Sequence, residues 1–319
     1  MGLSSGGGRA PADLRVPIGR GLLSNPVGVA SGTFGYGAEY AGLMDLGLLG
    51  AIFTKAVTRE GRSGNAVPRL VETPAGLLNS IGLANQGVEA FVRDKVPYLS
   101  RLPCAVAANI AGSTESEYLH VTGRLEKDGR LWGYEINLSC PNVRSGCLAF
   151  GTEPRLVEKL TRKLRRETPK PLIIKLTPNV TDIGVLARAA EAGGADAVSC
   201  INTLVGMAVD VKTKRPVLPS VTGGLSGPAI RPVGVAMAYR AAQAVSIPVI
   251  GIGGIMSAED ALQYLLAGAS AVQIGTGNFV DPAIPARVLE GIREFCRAEG
   301  MKSLREIHRW KAGWERDEG

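Results

Sequence analysis

The feature that most restricts the fold of this chain is an alternation. From about residue 26 to the end, short β-branched or apolar runs are interleaved with amphipathic helical stretches, the pattern of a parallel sheet covered by helices. The candidate strands are PVGVAS (26–31), AIFTKAV (51–57), CAVAANI (104–110), YEINLS (134–139), LIIKLT (172–177), DAVSCIN (196–202), PVIGIGG (248–254) and AVQIGT (271–276). Eight such strands predict an α/β fold, the (β/α)8 TIM barrel. Between them, Thr114 with Glu117 forms a capping box ahead of Tyr118, Val121 and Leu125, and Ser257 with Asp260 opens a second that Gly268 can close. Leu156, Leu160 and Leu164 give another helix one buried stripe. No linker divides residues 1–319, so a single domain is expected. Two connections are longer than a barrel needs, residues 58–84 after the second strand and 203–227 after the sixth. Both leave C-terminal strand ends, the face on which barrel active sites are built, and are expected to be substrate or lid insertions.

Charge and composition remove several functions. The formal charge is +7, yet the basic residues are scattered; the densest group, Arg162, Lys163, Arg165 and Arg166, falls on one helix and reads as a solvated face, not a nucleic-acid surface. No apolar stretch is long enough to span a bilayer and the N-terminus lacks a signal-peptide core, so a cytoplasmic protein with no membrane contact is expected. The cysteines, Cys104, Cys140, Cys147, Cys200 and Cys296, contain no C-x-x-C pair, which argues against a zinc site or an iron-sulfur cluster on this chain. The two histidines, His120 and His308, fall in polar helical patterns expected at the surface, so neither a histidine base nor a histidine metal cage is expected.

Five strands end in polar groups: Lys55, Asn109, Asn137, Lys175 and Asn202. A lysine inside an apolar strand is costly to bury without a partner, so Lys55 and Lys175 each imply something anionic or hydrogen-bonding in the barrel mouth. The bland alternative, a lysine snorkelling from a sheet edge, has no edge to use in a closed barrel. Gly251, Gly253, Gly254 and then Gly275, Thr276, Gly277 follow strands seven and eight, where many barrels hold a phosphate on exposed backbone N–H groups. Met256 interrupts a G-x-G-x-x-G pattern, which disfavours a dinucleotide-binding turn. Cys140 follows strand four in Asn137-Leu-Ser-Cys-Pro-Asn142, stiffened by Pro141. A lone cysteine is more often a small buried hydrophobe. The flanking carboxamides, each both donor and acceptor, instead suit a ring that alternates N–H and C=O, as pyrimidines do.

In ASGTFGYG (30–37), TPAGLLNSIGLANQG (73–87), INLSCPN (136–142), INTLVGMAVD (201–210), GGLSGPAI (223–230) and GIGGI (251–255) the chain resembles the class 1 dihydroorotate dehydrogenases over nearly its whole length. NVRSGCLAFGT (142–152) and the lid segment KTKRP (212–216) are similar to class 1B, although Cys147 stands where that class usually has glycine. The resemblance implies a TIM barrel that binds FMN and oxidises dihydroorotate to orotate for pyrimidine synthesis. It implies Cys140 as the base, with Lys55 and Lys175 assisting. FMN contacts are implied for Ala30, Ser31, Lys55, Ala56, Asn109, Asn137, Lys175, Ile201, Gly227, Gly253, Gly254, Gly275 and Thr276. Substrate contacts are implied for Lys55, Asn79, Ser80, Ile81, Gly82, Leu83, Asn137, Asn142, Asn202 and Thr203. It further implies a second subunit carrying FAD and an iron-sulfur cluster that passes electrons to NAD, and a barrel homodimer within a heterotetramer. Three rival readings remain at this point: a class 1A homodimer that uses fumarate, a barrel aldolase with a Schiff base at Lys55 or Lys175, and a flavin- or phosphate-binding barrel without activity.

Overall fold

The computed structural model describes residues 10–138 and 150–310. Eight parallel strands close into a barrel: β1 (Val27–Val29), β2 (Ala51–Phe53), β3 (Ala105–Ile110), β4 (Gly133–Asn137), β5 (Leu172–Lys175), β6 (Ala197–Cys200), β7 (Val249–Ile252) and β8 (Ala271–Ile274). They neighbour one another in sequence order, and β8 pairs with β1 through Val272↔Val27 and Ile274↔Val29. Each candidate strand forms, mostly trimmed at its ends, with β4 starting one residue earlier than expected, at Gly133. Their apolar runs are buried on both faces, one toward the lumen and one toward the helices, which is why they carry no simple in-out alternation.

The outer layer is α1 (Val88–Asp94), α2 (Glu115–Asp128), α3 (Pro154–Glu167), α4 (Ile183–Ala192), α5 (Arg231–Ala244), α6 (Ala258–Leu266) and α7 (Ile284–Ala298). Between β1 and β2 the chain makes turns and one 3-10 helix, Leu46–Leu48. At α6 both halves of the Ser257–Asp260 capping box form, and Gly268 follows the helix with φ of 107°. At α2 only half forms: Thr114 accepts from the Glu117 N–H, but the Glu117 carboxylate takes the Ser113 N–H at 2.7 Å and pairs with Arg62. The buried stripe of α3 is Val157, Leu160, Thr161 and Leu164, with Leu156 at its half-buried edge. The 3.6-residue period, unlike a strict spacing of four, brings Val157 and Thr161 onto that face.

Arg165 corrects the reading of its run as a solvated face. Its guanidinium binds the Asp196 carboxylate at 2.6 Å and the carbonyls of Thr168 and Lys170, clamping the N-terminal ends of β5 and β6, while Arg162 and Arg166 are exposed. His120 is exposed as expected, whereas His308 is half-buried with Nε2 3.0 Å from the Ala269 carbonyl oxygen. No helix among the described residues is long and apolar enough to cross a membrane.

One end of the barrel is sealed. The hairpin strands Val16–Ile18 and Gly21–Leu23 press Val16, Ile18 and Leu23 against the lumen residues Ala51, Phe53, Ala107, Ile173, Ala197, Ile250 and Ala271. Chemistry is thereby confined to the opposite, C-terminal end. There the two long insertions do not act separately. They interleave into one antiparallel sheet, in the order Leu204–Gly206, Gly223–Ser226, Gly76–Asn79, Leu70–Thr73. At one end of this sheet Gly76 and Gly227 meet so closely that a Cβ on Gly76 would lie 1.9 Å from the Ser226 carbonyl oxygen. Only glycine permits that approach.

Candidate active site

Above the apolar plug the lumen turns polar. Glu135 on β4 is fully buried, with four neighbours reaching it from other strands. Asn109 Nδ2 of β3 donates to one carboxylate oxygen at 2.6 Å; Ser199 Oγ of β6 and Gln273 Nε2 of β8 donate to the other at 2.9 and 2.8 Å. The Lys175 ammonium of β5 lies 3.7 Å from the first oxygen. Lys175 is itself 4% exposed and donates across the barrel to Ser31 Oγ at 3.3 Å. Asn109 therefore sits inside the barrel, not at a strand terminus, and its Oδ1 is a buried acceptor without a partner among the described residues.

The remaining candidates ring the mouth. Asn202 donates to Asn137 Oδ1 at 3.2 Å and accepts the Thr203 N–H at 2.8 Å, joining the tops of β4 and β6. Strand pairing of the insertions sets Asn79 beside Gly224, with its amide donating to the Gly224 carbonyl oxygen at 3.0 Å. Ser80, Ile81, Gly82 and Leu83 continue from it as half-buried loop. Leu83 holds a left-handed φ of 55°, uncommon for its side chain. The loop is braced from outside: Asn65 donates to Ser80 Oγ at 2.7 Å, and Asn85 donates to the Leu83 carbonyl oxygen at 2.7 Å. Lys55 follows β2, half-buried, and its ammonium has no partner among the described residues. Burial pushes its pKa down, and the nearby Arg69 guanidinium adds to the effect. Ala30, Ala56 and Ile201 are buried beneath the rim.

Residues after β7 and β8 complete the ring. Thr276 Oγ1 donates to Ser226 Oγ at 2.8 Å, tying the β8 loop to the insertion sheet beside Gly227. A Cβ on Gly275 would meet nothing nearer than Ala30 Cβ at 3.8 Å, so open space and not packing lies in front of that glycine. The backbone N–H groups of Gly254, Gly275 and Thr276 take no acceptor among the described residues. Free N–H groups around open space are the donor set a phosphate monoester requires. The residues fit FMN on that ground. Cys140, Asn142 and Cys147 lie outside the described residues.

Sequence reasoning missed Glu135, Ser199 and Gln273. A signal was present: in a barrel strand, residues two apart share a face, so Glu135 lies below Asn137 and Gln273 below Gly275. It also missed Asn65, Asn85 and Arg69, whose roles depend on contacts between distant loops.

A sealed (β/α)8 barrel with an ion pair in its lumen and an open glycine cradle after β7 and β8 is a barrel enzyme of the kind that holds a phosphate-bearing cofactor. Comparison with known proteins narrows this. The family model described as dihydroorotate dehydrogenase matches residues 14–296. The chain is 48% identical to the "Dihydroorotate dehydrogenase B (NAD(+)), catalytic subunit" of Pelobacter propionicus, covering 92% of this chain and 97% of that protein. It is 50% identical to the protein of the same description from Thermoanaerobacter sp., with the same coverage. A crystal structure of DHODH from Eimeria tenella in complex with ferulenol shares the fold, at a TM-score of 0.78 and 21% identity over 92% of this chain and 87% of that one. The chain belongs to the dihydroorotate dehydrogenase family, and its reaction is the oxidation of dihydroorotate in pyrimidine synthesis. The family implies FMN as the cofactor on this chain.

Proposed function

We propose that the chain is the barrel subunit of a class 1B, NAD-linked enzyme and that the residues around the mouth divide the reaction among them. The observation that carries the reading is the setting of Lys175, a buried ammonium reaching Ser31 across the barrel mouth. In this reading FMN is held by Ala30, Ser31, Ala56, Asn109, Asn137, Ile201 and Gly227, with its phosphate on Gly253, Gly254, Gly275 and Thr276. Bound there, FMN supplies the acceptor for the hydride that leaves C6 of dihydroorotate. Cys140 takes the proton from C5, which is acidic because it neighbours a carbonyl. Lys175 offers positive charge where the cofactor gains electrons, a preorganised electrostatic role. Lys55 faces the substrate carboxylate, while Asn79, Asn137, Asn142, Asn202 and Thr203 bond the alternating ring groups, with Ser80, Ile81, Gly82 and Leu83 shaping the loop around it.

The descriptions of the relatives as catalytic subunits of an NAD(+) enzyme support a partner subunit, proposed to carry FAD and an iron-sulfur cluster. Two barrels and two such partners form a heterotetramer in the cytoplasm. The test is the visible spectrum of the purified chain before and after dihydroorotate is added without oxygen. A yellow protein that bleaches is expected. A colourless chain that takes up no FMN on reconstitution overturns the proposal.

A further inference from the structure

We propose that Glu135 is a positioning residue for Lys175: its carboxylate holds the buried ammonium in place and aimed at the cofactor, and so helps to set the flavin's reduction potential. The inference rests on the FMN site proposed above. It begins with a mismatch of cost. A fully buried carboxylate is among the most expensive groups a barrel can enclose, and it persists only when paired and hydrogen-bonded. Glu135 has both conditions met: neutral donors from Asn109, Ser199 and Gln273 occupy its oxygens, and Lys175 is the one cation against it among the described residues.

The dependence runs the other way as well. Lys175 is 4% exposed, and among the described residues its polar contacts are Glu135 below and the Ser31 hydroxyl above. A hydroxyl alone does not fix where the ammonium sits. Without Glu135 the side chain loses its charged anchor among the described residues and can swing away from the ring. An ammonium displaced from that place favours electron gain by the ring less. The neutral donors around Glu135 fix the geometry: they come from β3, β6 and β8, so the carboxylate is held from three sides and cannot follow the lysine outward. A tie that only joined strands would not need a charge, since an uncharged amide bonds across a barrel equally well.

The experiment compares the purified full chain with Glu135→Gln, Glu135→Asp, Lys175→Met and the Lys175→Met/Glu135→Gln double variant, reading FMN affinity by fluorescence and midpoint potential against reference dyes. Glu135→Gln should still bind FMN. Its potential should fall by the equivalent of about tenfold or more in the two-electron equilibrium, the order expected for moving one charge away from the ring, with each tenfold worth about 30 mV. Glu135→Asp, which keeps the charge, should recover most of the wild-type potential. In the Lys175→Met background the Gln substitution should shift the potential little, because its effect acts through the lysine. A wild-type potential in Glu135→Gln overturns the inference, and so does an equal shift in both backgrounds. Should Glu135→Gln not fold, the apoproteins decide: the double variant, having no orphaned carboxylate, should melt above Lys175→Met, and equal or lower melting overturns the coupling. Absence of FMN binding by the wild-type chain would instead sink the functional proposal.

Discussion

Gly254 and Gly275 look equivalent in sequence, each a glycine just past a barrel strand, yet the structure assigns their hydrogens different surroundings. At Gly254 the backbone is left-handed, with φ of 67°, and a Cβ would stand 2.7 Å from Arg231 Cβ and 2.9 Å from the Gly227 carbonyl oxygen. Gly254→Ala therefore meets about 1–2 kcal/mol of backbone penalty before any clash is relieved, and the apoprotein should melt several degrees lower. At Gly275 a Cβ is in ordinary contact with Ala30 and otherwise faces open space. Gly275→Leu should leave the apoprotein's melting temperature nearly unchanged while its side chain fills the volume proposed for the phosphate. Displacing the phosphate from one charge-assisted N–H bond costs about 1.5–3 kcal/mol, which is roughly a tenfold to 150-fold rise in Kd for FMN. Fluorescence titration of each apoprotein with FMN, beside a thermal melt, separates the two effects. Unchanged FMN affinity in a well-folded Gly275→Leu would refute the phosphate assignment, and a Gly254→Ala apoprotein as stable as wild type would refute the steric reasoning.

Removing the proposed base by Cys140→Ala should leave FMN bound and abolish most turnover, and Cys140→Ser should retain a little activity at higher pH; a near-normal rate for the alanine variant at neutral pH reassigns the base. Because burial lowers the Lys55 pKa, its charge is present below that value and lost as pH rises through it, so KM for dihydroorotate should climb at lower pH than an ordinary lysine's roughly 10.4 would allow. Lys55→Gln should raise KM about tenfold, on the scale of a lost charged hydrogen bond, and erase that alkaline limb; a limb that survives in the variant belongs to another group. The isolated chain should reduce artificial dyes but not NAD, with NAD reduction appearing when the cognate partner is added; fumarate reduction by the chain alone would point to class 1A instead.

The barrel was legible because its signal is local. Each strand is a short apolar run, several helices carry a cap or a stripe, and both long connections stand out by length alone. What escaped depends on registration between distant segments. Residues 58–84 and 203–227 are each readable as an insertion, but nothing in either says that Gly76–Asn79 pairs with Gly223–Ser226 to make one sheet. Arg165 reads like its basic neighbours until Asp196 is placed 2.6 Å away by the packing of α3 against the ends of β5 and β6. Glu135 reads as a lone charge in YEINLS, since its four partners sit on four other strands.

The two mouth lysines show what that registration is for. Both are costly to bury, and the structure resolves the cost differently for each. Lys175 is matched inside the barrel by Glu135, whereas Lys55 has a guanidinium for a neighbour and no carboxylate among the described residues. Replacing a buried ion pair by apolar side chains is often neutral or stabilising, so stability alone gives the barrel no reason to keep Lys175 and Glu135. An ammonium already paired changes little when a neutral ring arrives and can respond when that ring gains charge. An ammonium left unpaired beside another cation is relieved by an anion. The first arrangement suits a resident cofactor and the second a carboxylate that comes and goes, which is the division of roles proposed for Lys175 and Lys55.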